Sequence, residues 1–132
     1  SVTAVDMNRG EHVWRQAVGG APDEVRDNPA LKGLDLDFAK MGKWNISPGV
    51  VVTKTLMFMG EGGGLVHGGG PMFRAYDKAT GRVVSELELP APATAAPMTY
   101  LYQGRQYLAV VVGSGSHPAE LVALALPAGE AP

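Results

Sequence analysis

Apolar and polar side chains alternate along most of this chain, in short runs separated by Gly, Pro, Asn and Asp. An alternation with period two is typical of β-strands that bury one face, because successive side chains point to opposite sides of a sheet. The pattern predicts an all-β fold with about nine short strands and at most one helix. The predicted strands are residues 2–6, 12–18, 50–53, 56–60, 72–77, 83–89, 98–102, 106–112 and 121–126.

Residues 19–48 interrupt this alternation and are predicted to form one long loop insertion. Pro22, Pro29 and Pro48 fall within it and do not suit a strand ladder. Inside the insertion, residues 28–41 predict a short helix, with Asn28 as its N-cap and Pro29 at the first helical position.

One hairpin pattern occurs twice. A strand ends on Asp6, Gly10 closes the turn, and four residues of this stretch recur without a gap 71 residues later. An Asp carboxylate can accept backbone N–H groups of the turn, and Gly readily takes the positive φ that closes it. Such hairpins are also common turn chemistry, so a single copy would carry little information. The matched pairs are Ala4 with Ala75, Asp6 with Asp77, Gly10 with Gly81, and Val13 with Val84.

The spacing of the two copies favours a repeat architecture. Subtracting an insertion of roughly 29 residues from the offset leaves about 42, close to the 40 to 50 residues of one propeller blade. Blades are four-stranded antiparallel sheets arranged around an axis. The sequence therefore predicts a partial β-propeller of about two blades: half of one, a complete one over residues 50–89, and three strands of another.

Composition narrows the function classes. The chain has 132 residues, is 45% hydrophobic and 18% charged, and is predicted to be a single domain over residues 1–132. A net charge of −2 with scattered cations gives no electrostatic basis for binding nucleic acid. No apolar run reaches the length of a membrane span, and the absence of Cys excludes disulfides and thiolate metal sites. The chain starts directly in a strand, without a secretion signal, which predicts a piece cut from a larger protein; the alternative is a compact natural gene product.

The residues alone identify no catalytic or metal-binding constellation. The glycine-rich stretch "GEGGGLVHGGG" lacks the Lys-Ser/Thr of a phosphate-binding loop. His12, His67 and His117 are too far apart for the short ligand spacings of zinc sites. Ser114 lies in "GSGSHP", which leads into a strand rather than the helix that a nucleophile elbow requires.

Two longer strings resemble a known family. "AVDMNRGEHVW", ending at Trp14, resembles the tryptophan-docking motif of quinoprotein dehydrogenases. "FRAYDKATGRVVSELELPAPATAAPMTYLYQGRQYLAVVVGSG" is similar to the C-terminal part of that family, especially its glucose-dehydrogenase-like branch. The likeness covers most of the chain and is weakest over residues 19–43. In the second hairpin the position of the docking Trp is taken by Ser85, so the motif is incomplete there.

The resemblance implies an eight-bladed propeller that holds pyrroloquinoline quinone (PQQ) and calcium near its axis. The family's catalytic Asp lies upstream of the matched region, so neither a catalytic nor a metal-binding residue is expected in this chain. In sugar-oxidising relatives a Phe-Asn or similar pair approaches the quinone at about the position of "KWNISPG". Trp44 and Asn45 are therefore predicted to bind the cofactor, by stacking and by an amide hydrogen bond. The alternative is a loop Trp packed on the end of the propeller with an Asn turn behind it.

The resulting hypothesis is that this chain is the C-terminal propeller segment of a periplasmic quinoprotein dehydrogenase that oxidises sugars or alcohols. The isolated chain is expected to be inactive and to bind neither PQQ nor calcium, since the complete site needs many blades. Its expected partners are the remaining blades and, through open sheet edges, further copies of itself. The alternative is a non-enzymatic propeller-repeat scaffold, for which the long insertion is unusual.

Overall fold

The computed structural model describes residues 1–43, 49–62 and 69–126, and these form an all-β structure. Three antiparallel sheets follow one another along the chain, with two, four and three strands, and strands adjacent in sequence are adjacent in each sheet. The all-β partial-propeller prediction is confirmed. The strands are β1 (Val2–Asp6), β2 (Glu11–Gln16), β3 (Val50–Val52), β4 (Leu56–Gly60), β5 (Met72–Asp77), β6 (Val83–Glu88), β7 (Met98–Tyr102), β8 (Arg105–Val112) and β9 (Glu120–Ala125).

The described part of the insertion contains only short helical turns. They are α1 (Asp23–Arg26) and two 3₁₀ turns, Pro29–Leu31 and Phe38–Lys40. The prediction of one helix over residues 28–41 is wrong in extent, although its start is correct: the Asn28 side chain accepts a hydrogen bond from the Ala30 amide. The turn stops because Lys32 is extended and Gly33 has φ +89°.

The middle sheet buries one face against the first sheet. Met57 and Met59 on β4 and Tyr76 on β5 form a buried cluster with Val18, and Trp14 of β2 packs against it. Met57 is directly opposite Tyr76 across the ladder, so their side chains lie on the same face. This cluster joins the first sheet to the second.

The opposite face of the middle sheet packs on the third sheet. Phe58 and Phe73 stack with ring centroids 6.3 Å apart, and Phe73 belongs to a second buried cluster that includes Val110 and Val112 of β8. At Gly60 the backbones approach closely, since an added Cβ would lie 2.6 Å from the Cβ of Ala93. The three sheets are thus stacked face to face in chain order, as successive propeller blades are.

The two predicted hairpin copies occupy equivalent places in the first and second sheets. The Asp6 carboxylate accepts the Asn8 amide at 2.9 Å, and the Asp77 carboxylate accepts the Thr80 amide at 2.8 Å. Each turn closes with a Gly at positive φ, +69° at Gly10 and +73° at Gly81. Strand pairing shifts register once in each hairpin, after Ala4 and after Ala75. The repeat inferred from the sequence is therefore present in the backbone.

Trp14 connects the first hairpin to the second. Its indole N–H donates to the carbonyl of Lys78 at 2.9 Å. Its ring covers Gly81 so closely that an added Cβ would lie 2.5 Å from ring atoms. Only Gly leaves room for the ring at this turn.

The connections between strands are of two kinds, short and long, and each kind lies at one end of the stack. The short turns, residues 7–10, 53–55, 78–82 and 103–104, define the turn end. The longer connections define the loop end, through the described parts of residues 17–49, 61–71, 89–97 and 113–119. Antiparallel pairing enforces this alternation within each sheet. Between sheets, contacts at Gly19 and Glu61, and hydrogen bonds at Thr94 and Gly113, bring the long connections together.

Candidate functional site

The loop end gathers chain segments from all three sheets and is the candidate functional site. Its largest segment, the insertion, is closed at its base by a short neck. The Lys43 amide donates to the Val18 carbonyl at 2.8 Å, and the Ala21 amide donates to the Phe38 carbonyl at 2.7 Å. A Cβ on Gly42 would lie 3.4 Å from the Val18 backbone, so the two chains run close together there. We call residues 18–20 and 42–43 the neck.

Trp44 and Asn45, the predicted cofactor-binding residues, lie outside the described residues. The structure does place the residues that flank residues 44–48. Lys43 belongs to the neck beside Val18, and Gly49 packs against Ala96, where an added Cβ would lie 2.7 Å from the Ala96 Cβ. Both flanking residues are at the loop end. The assignment of Trp44 and Asn45 as cofactor contacts stays a prediction.

A buried carboxylate that sequence reasoning missed lies beside the neck. Among the described residues Glu61 is the one charged side chain that is buried, with 6% of its surface exposed. It follows β4 directly, and its amide donates to the Met72 carbonyl at 2.9 Å. Its Oε1 accepts from Arg74 Nη1 at 2.5 Å. A buried charge is tolerated because a partner of opposite charge is hydrogen-bonded to it.

Arg74 is shared between two glutamates. Its Nε donates to Glu86 Oε1 at 2.5 Å, and Glu86 lies directly opposite Arg74 in the β5–β6 ladder. Burial lowers the pKa of Arg74, but the hydrogen bonds to Glu86 and Glu61 more than offset this and raise the pKa above its ordinary value. Arg74 is therefore a fixed cation whose two hydrogen-bonded partners are already in place.

The Glu61 side chain occupies a space left by two glycines. A Cβ on Gly70 would lie 1.7 Å from Glu61 Oε2, and a Cβ on Gly19 would lie 3.4 Å from Oε1 and from the Lys43 side chain. One carboxylate thus lies beside both the β4–β5 connection, at Gly70, and the neck, at Gly19. The sequence signal was the glycine-flanked Glu itself, but its partners come from distant segments, and the stretch was weighed only as a phosphate-binding loop.

Three further polar side chains lie at the loop end: Lys43, His117 and Ser114. His117 and Ser114 make local hydrogen bonds, whereas Lys43 is available to a ligand. Lys43 is half-buried and forms no ion pair with another described residue. His117 Nε2 lies 3.0 Å from Glu120 Oε1, and the Ser114 hydroxyl accepts the amides of Ser116 and His117. Ser114 is therefore a turn-stabilising residue here.

PQQ carries carboxylates, which cations in proteins can hold, and Lys43 is a cation at the loop end that is not paired within the described residues. Lys43 is therefore a candidate for contact with a quinone carboxylate. No three His, Cys, Asp or Glu side chains of the described ranges are grouped so that they could hold a metal ion.

No helix in the described ranges has both the length and the apolar character needed to span a membrane.

The comparisons with known proteins agree on one family. Residues 1–108 match the family model for the β-propeller domain of PQQ-containing glucose, ethanol and alcohol dehydrogenases. The large subunit of glycerol dehydrogenase from Gluconobacter thailandicus is 33% identical over 126 residues, covering 88% of this chain and 14% of that protein. Quinoprotein glucose dehydrogenase A from Acinetobacter calcoaceticus is 30% identical over 131 residues, covering 96% of this chain and 15% of that protein.

A further relative has lower identity. Quinoprotein glucose dehydrogenase from Escherichia coli (strain K12) is 27% identical over 116 residues, covering 88% of this chain and 13% of that protein. The chain therefore spans about one seventh of the length of the curated relatives it matches.

Proposed function

This chain belongs to the PQQ-dependent glucose, ethanol and alcohol dehydrogenase β-propeller family, and we propose that it is the C-terminal propeller segment of an enzyme that oxidises a sugar or an alcohol. The observation that carries this proposal is the match of nearly the whole chain, as three stacked sheets, to a small part of much longer dehydrogenases. The remaining blades of the parent protein are its partners, and its compartment is the periplasm, as the family resemblance implies.

The segment contributes one edge of the cofactor site. When bound, PQQ would accept the hydride that leaves the substrate carbon with its two electrons. Trp44 would stack on the quinone ring, the Asn45 amide would donate to a quinone oxygen, and the Lys43 ammonium would attract a carboxylate. The general base and the calcium ligands belong to other parts of the parent protein, so this chain supplies no catalytic residue.

The site residues are tested in the whole protein by quinone titration. We expect Trp44→Ala and Asn45→Ala each to weaken PQQ affinity, with Asn8→Ala as the control because Asn8 lies in an exposed turn at the turn end. Loss of affinity in the control as large as in the two variants, or no loss in either variant, would contradict the assignment. A parent protein that binds no PQQ would support the scaffold alternative instead.

The isolated chain tests the need for the remaining blades. With PQQ and calcium added, it is expected to show no turnover of glucose or glycerol and no micromolar PQQ binding. Its free sheet edges are expected to pair between copies, which sedimentation over a wide concentration range will detect as self-association. Turnover by the isolated chain would refute the division of the site, and a monomer at all concentrations would refute the edge pairing.

A further inference from the structure

Glu61 joins three segments of the loop end through a single carboxylate. Oε1 accepts from Arg74 Nη1 at 2.5 Å and lies next to Gly19 of the neck, whereas Oε2 lies against Gly70 of the β4–β5 connection. Gly70 could not carry a Cβ without displacing the carboxylate, since that Cβ would lie 1.7 Å from Oε2, whereas a Cβ on Gly19 would lie at ordinary contact distance, 3.4 Å, from Oε1. The carboxylate is therefore enclosed on two sides by backbone.

Arg74 holds this carboxylate from the centre of the middle sheet. Its second hydrogen bond, from Nε to Glu86 on β6, fixes the guanidinium from the side away from the neck. With 15% of its side chain exposed, Arg74 has little freedom to adopt another rotamer. The sheet thus sets the position of Glu61, and with it the position of the Oε1 atom beside Gly19 and the Oε2 atom beside Gly70.

The neck is the segment that receives this constraint. Gly19 follows Val18, whose carbonyl accepts the Lys43 amide, so a displacement at Gly19 moves both strands of the neck. The side chain of Lys43 also packs beside Gly19, at 3.4 Å from the position of an added Cβ. We therefore expect a change at Glu61 to alter the position of Lys43, the cation that we assign to the cofactor.

We propose that Glu61 is a positioning residue, which Arg74 holds in place and which fixes the neck so that the quinone site keeps its geometry. The proposal rests on the proposed function, because quinone affinity is the property that the neck controls. Glu61 acts through the neck and through Lys43, and makes no contact with the quinone itself.

The test uses the whole protein with Glu61→Gln, Glu61→Asp and the matched control Glu86→Gln. Each Gln variant removes one negative charge from beside Arg74, but of the two glutamates it is Glu61 that lies beside Gly19 of the neck. The two readouts are amide hydrogen exchange at Lys43, whose N–H is bonded to Val18, and PQQ affinity by titration. The Asp variant keeps the charge and shortens the side chain, which tests reach separately from charge and remains available if the Gln variant does not fold.

For Glu61→Gln and Glu61→Asp we expect faster exchange at Lys43 and PQQ affinity weaker by about tenfold, which corresponds to about 1.4 kcal/mol of lost interaction. At saturating PQQ, kcat should stay near the wild-type value, because the reacting groups are elsewhere. Glu86→Gln should leave both readouts within about twofold, because Glu86 is about half exposed and solvent screens its charge.

The outcomes separate this proposal from the one on which it rests. Wild-type protein that binds no PQQ overturns both. Wild-type protein that binds PQQ, with unchanged affinity in both Glu61 variants, overturns the positioning role alone. An equal loss in Glu86→Gln also overturns it, because the effect would then follow the charge near Arg74 and not the contact with the neck.

Discussion

The two equivalent turn glycines allow the contribution of Trp14 to be measured by a matched pair of substitutions. Gly10 and Gly81 both have positive φ, +69° and +73°. An Ala Cβ at Gly81 would lie 2.5 Å from two ring atoms of Trp14, whereas one at Gly10 would meet nothing within 4 Å among the described residues. Gly10→Ala therefore measures the backbone penalty alone, and Gly81→Ala measures that penalty plus the clash with the ring.

The expected difference can be worked out from these contacts. A left-handed conformation costs a non-Gly residue about 1 to 2 kcal/mol, and both variants pay it. Carbon atoms in contact prefer separations of about 3.5 to 4.0 Å, so the Trp14 ring must move by about 1 Å in Gly81→Ala. Such overpacking typically costs about 1 to 3 kcal/mol. We expect Gly81→Ala to lower the free energy of unfolding by that amount more than Gly10→Ala does.

Urea unfolding of this chain, followed by circular dichroism, gives both free energies. The same two substitutions in a Trp14→Ala background complete a double-mutant cycle, in which the difference between the glycines should vanish. Equal destabilisation by the two substitutions, or a difference that persists without Trp14, would refute the docking of the indole on the second turn.

Three further predictions concern the acid limb and the packing of the sheets. A hydrogen bond from Thr80 lowers the pKa of the Asp77 carboxyl. Its contribution to stability is therefore present above the unfolded-state pKa and is lost as pH falls below about 4, so Asp77→Asn should flatten the acid limb of a stability–pH curve. Gly60→Ala should destabilise the chain by about 1 to 3 kcal/mol in urea unfolding because its Cβ would contact Ala93, whereas Gly115→Ala, with open space around it, should not. Phe73→Ala should cost about 3 to 5 kcal/mol by the same measurement, since Phe73 is 4% exposed in the cluster between the second and third sheets; a loss below 1 kcal/mol would exclude that cluster as a core.

The strands and the hairpin repeat were predictable from the sequence because their causes are local. Alternation with period two and an Asp-to-Gly turn each depend on residues within one hairpin. The predicted ends of strands were less accurate where a residue is buried but is not paired in the ladder. Val18 is buried, so the pattern extended the second strand to it, yet the ladder ends at Gln16 because the chain turns into the insertion there.

Exposure in the third sheet departs from what alternation predicts. Met98, Tyr100 and Tyr102 alternate as in a half-buried strand, but they are 55%, 39% and 59% exposed. Tyr100 stacks on Tyr107 across the ladder at 5.3 Å, and the Arg105 guanidinium lies over the Tyr107 ring at 5.5 Å. The described residues therefore leave Met98, Tyr100 and Tyr102 largely exposed, although their alternation is that of a half-buried strand.

The candidate site was less predictable than the fold. The contact between Glu61 and Gly19 joins residues far apart in sequence, and no local pattern indicates it. The helix predicted over residues 28–41 failed for a related reason: a correct N-cap at Asn28 starts a helix, but Gly33 ends the turn within a few residues. Trp44 and Asn45 were proposed from family resemblance and stay a prediction.

The division of the stack into a turn end and a loop end has a practical consequence for protein engineering. Residues 23–37 of the insertion contribute no side chain to the ladders or to either buried cluster, whereas Val18, Leu89, Ala91 and Ala93 of the longer connections belong to those clusters and the tight turns set the strand registers. Variation of length or composition is therefore best confined to residues 23–37, with the tight turns and the cluster residues kept constant.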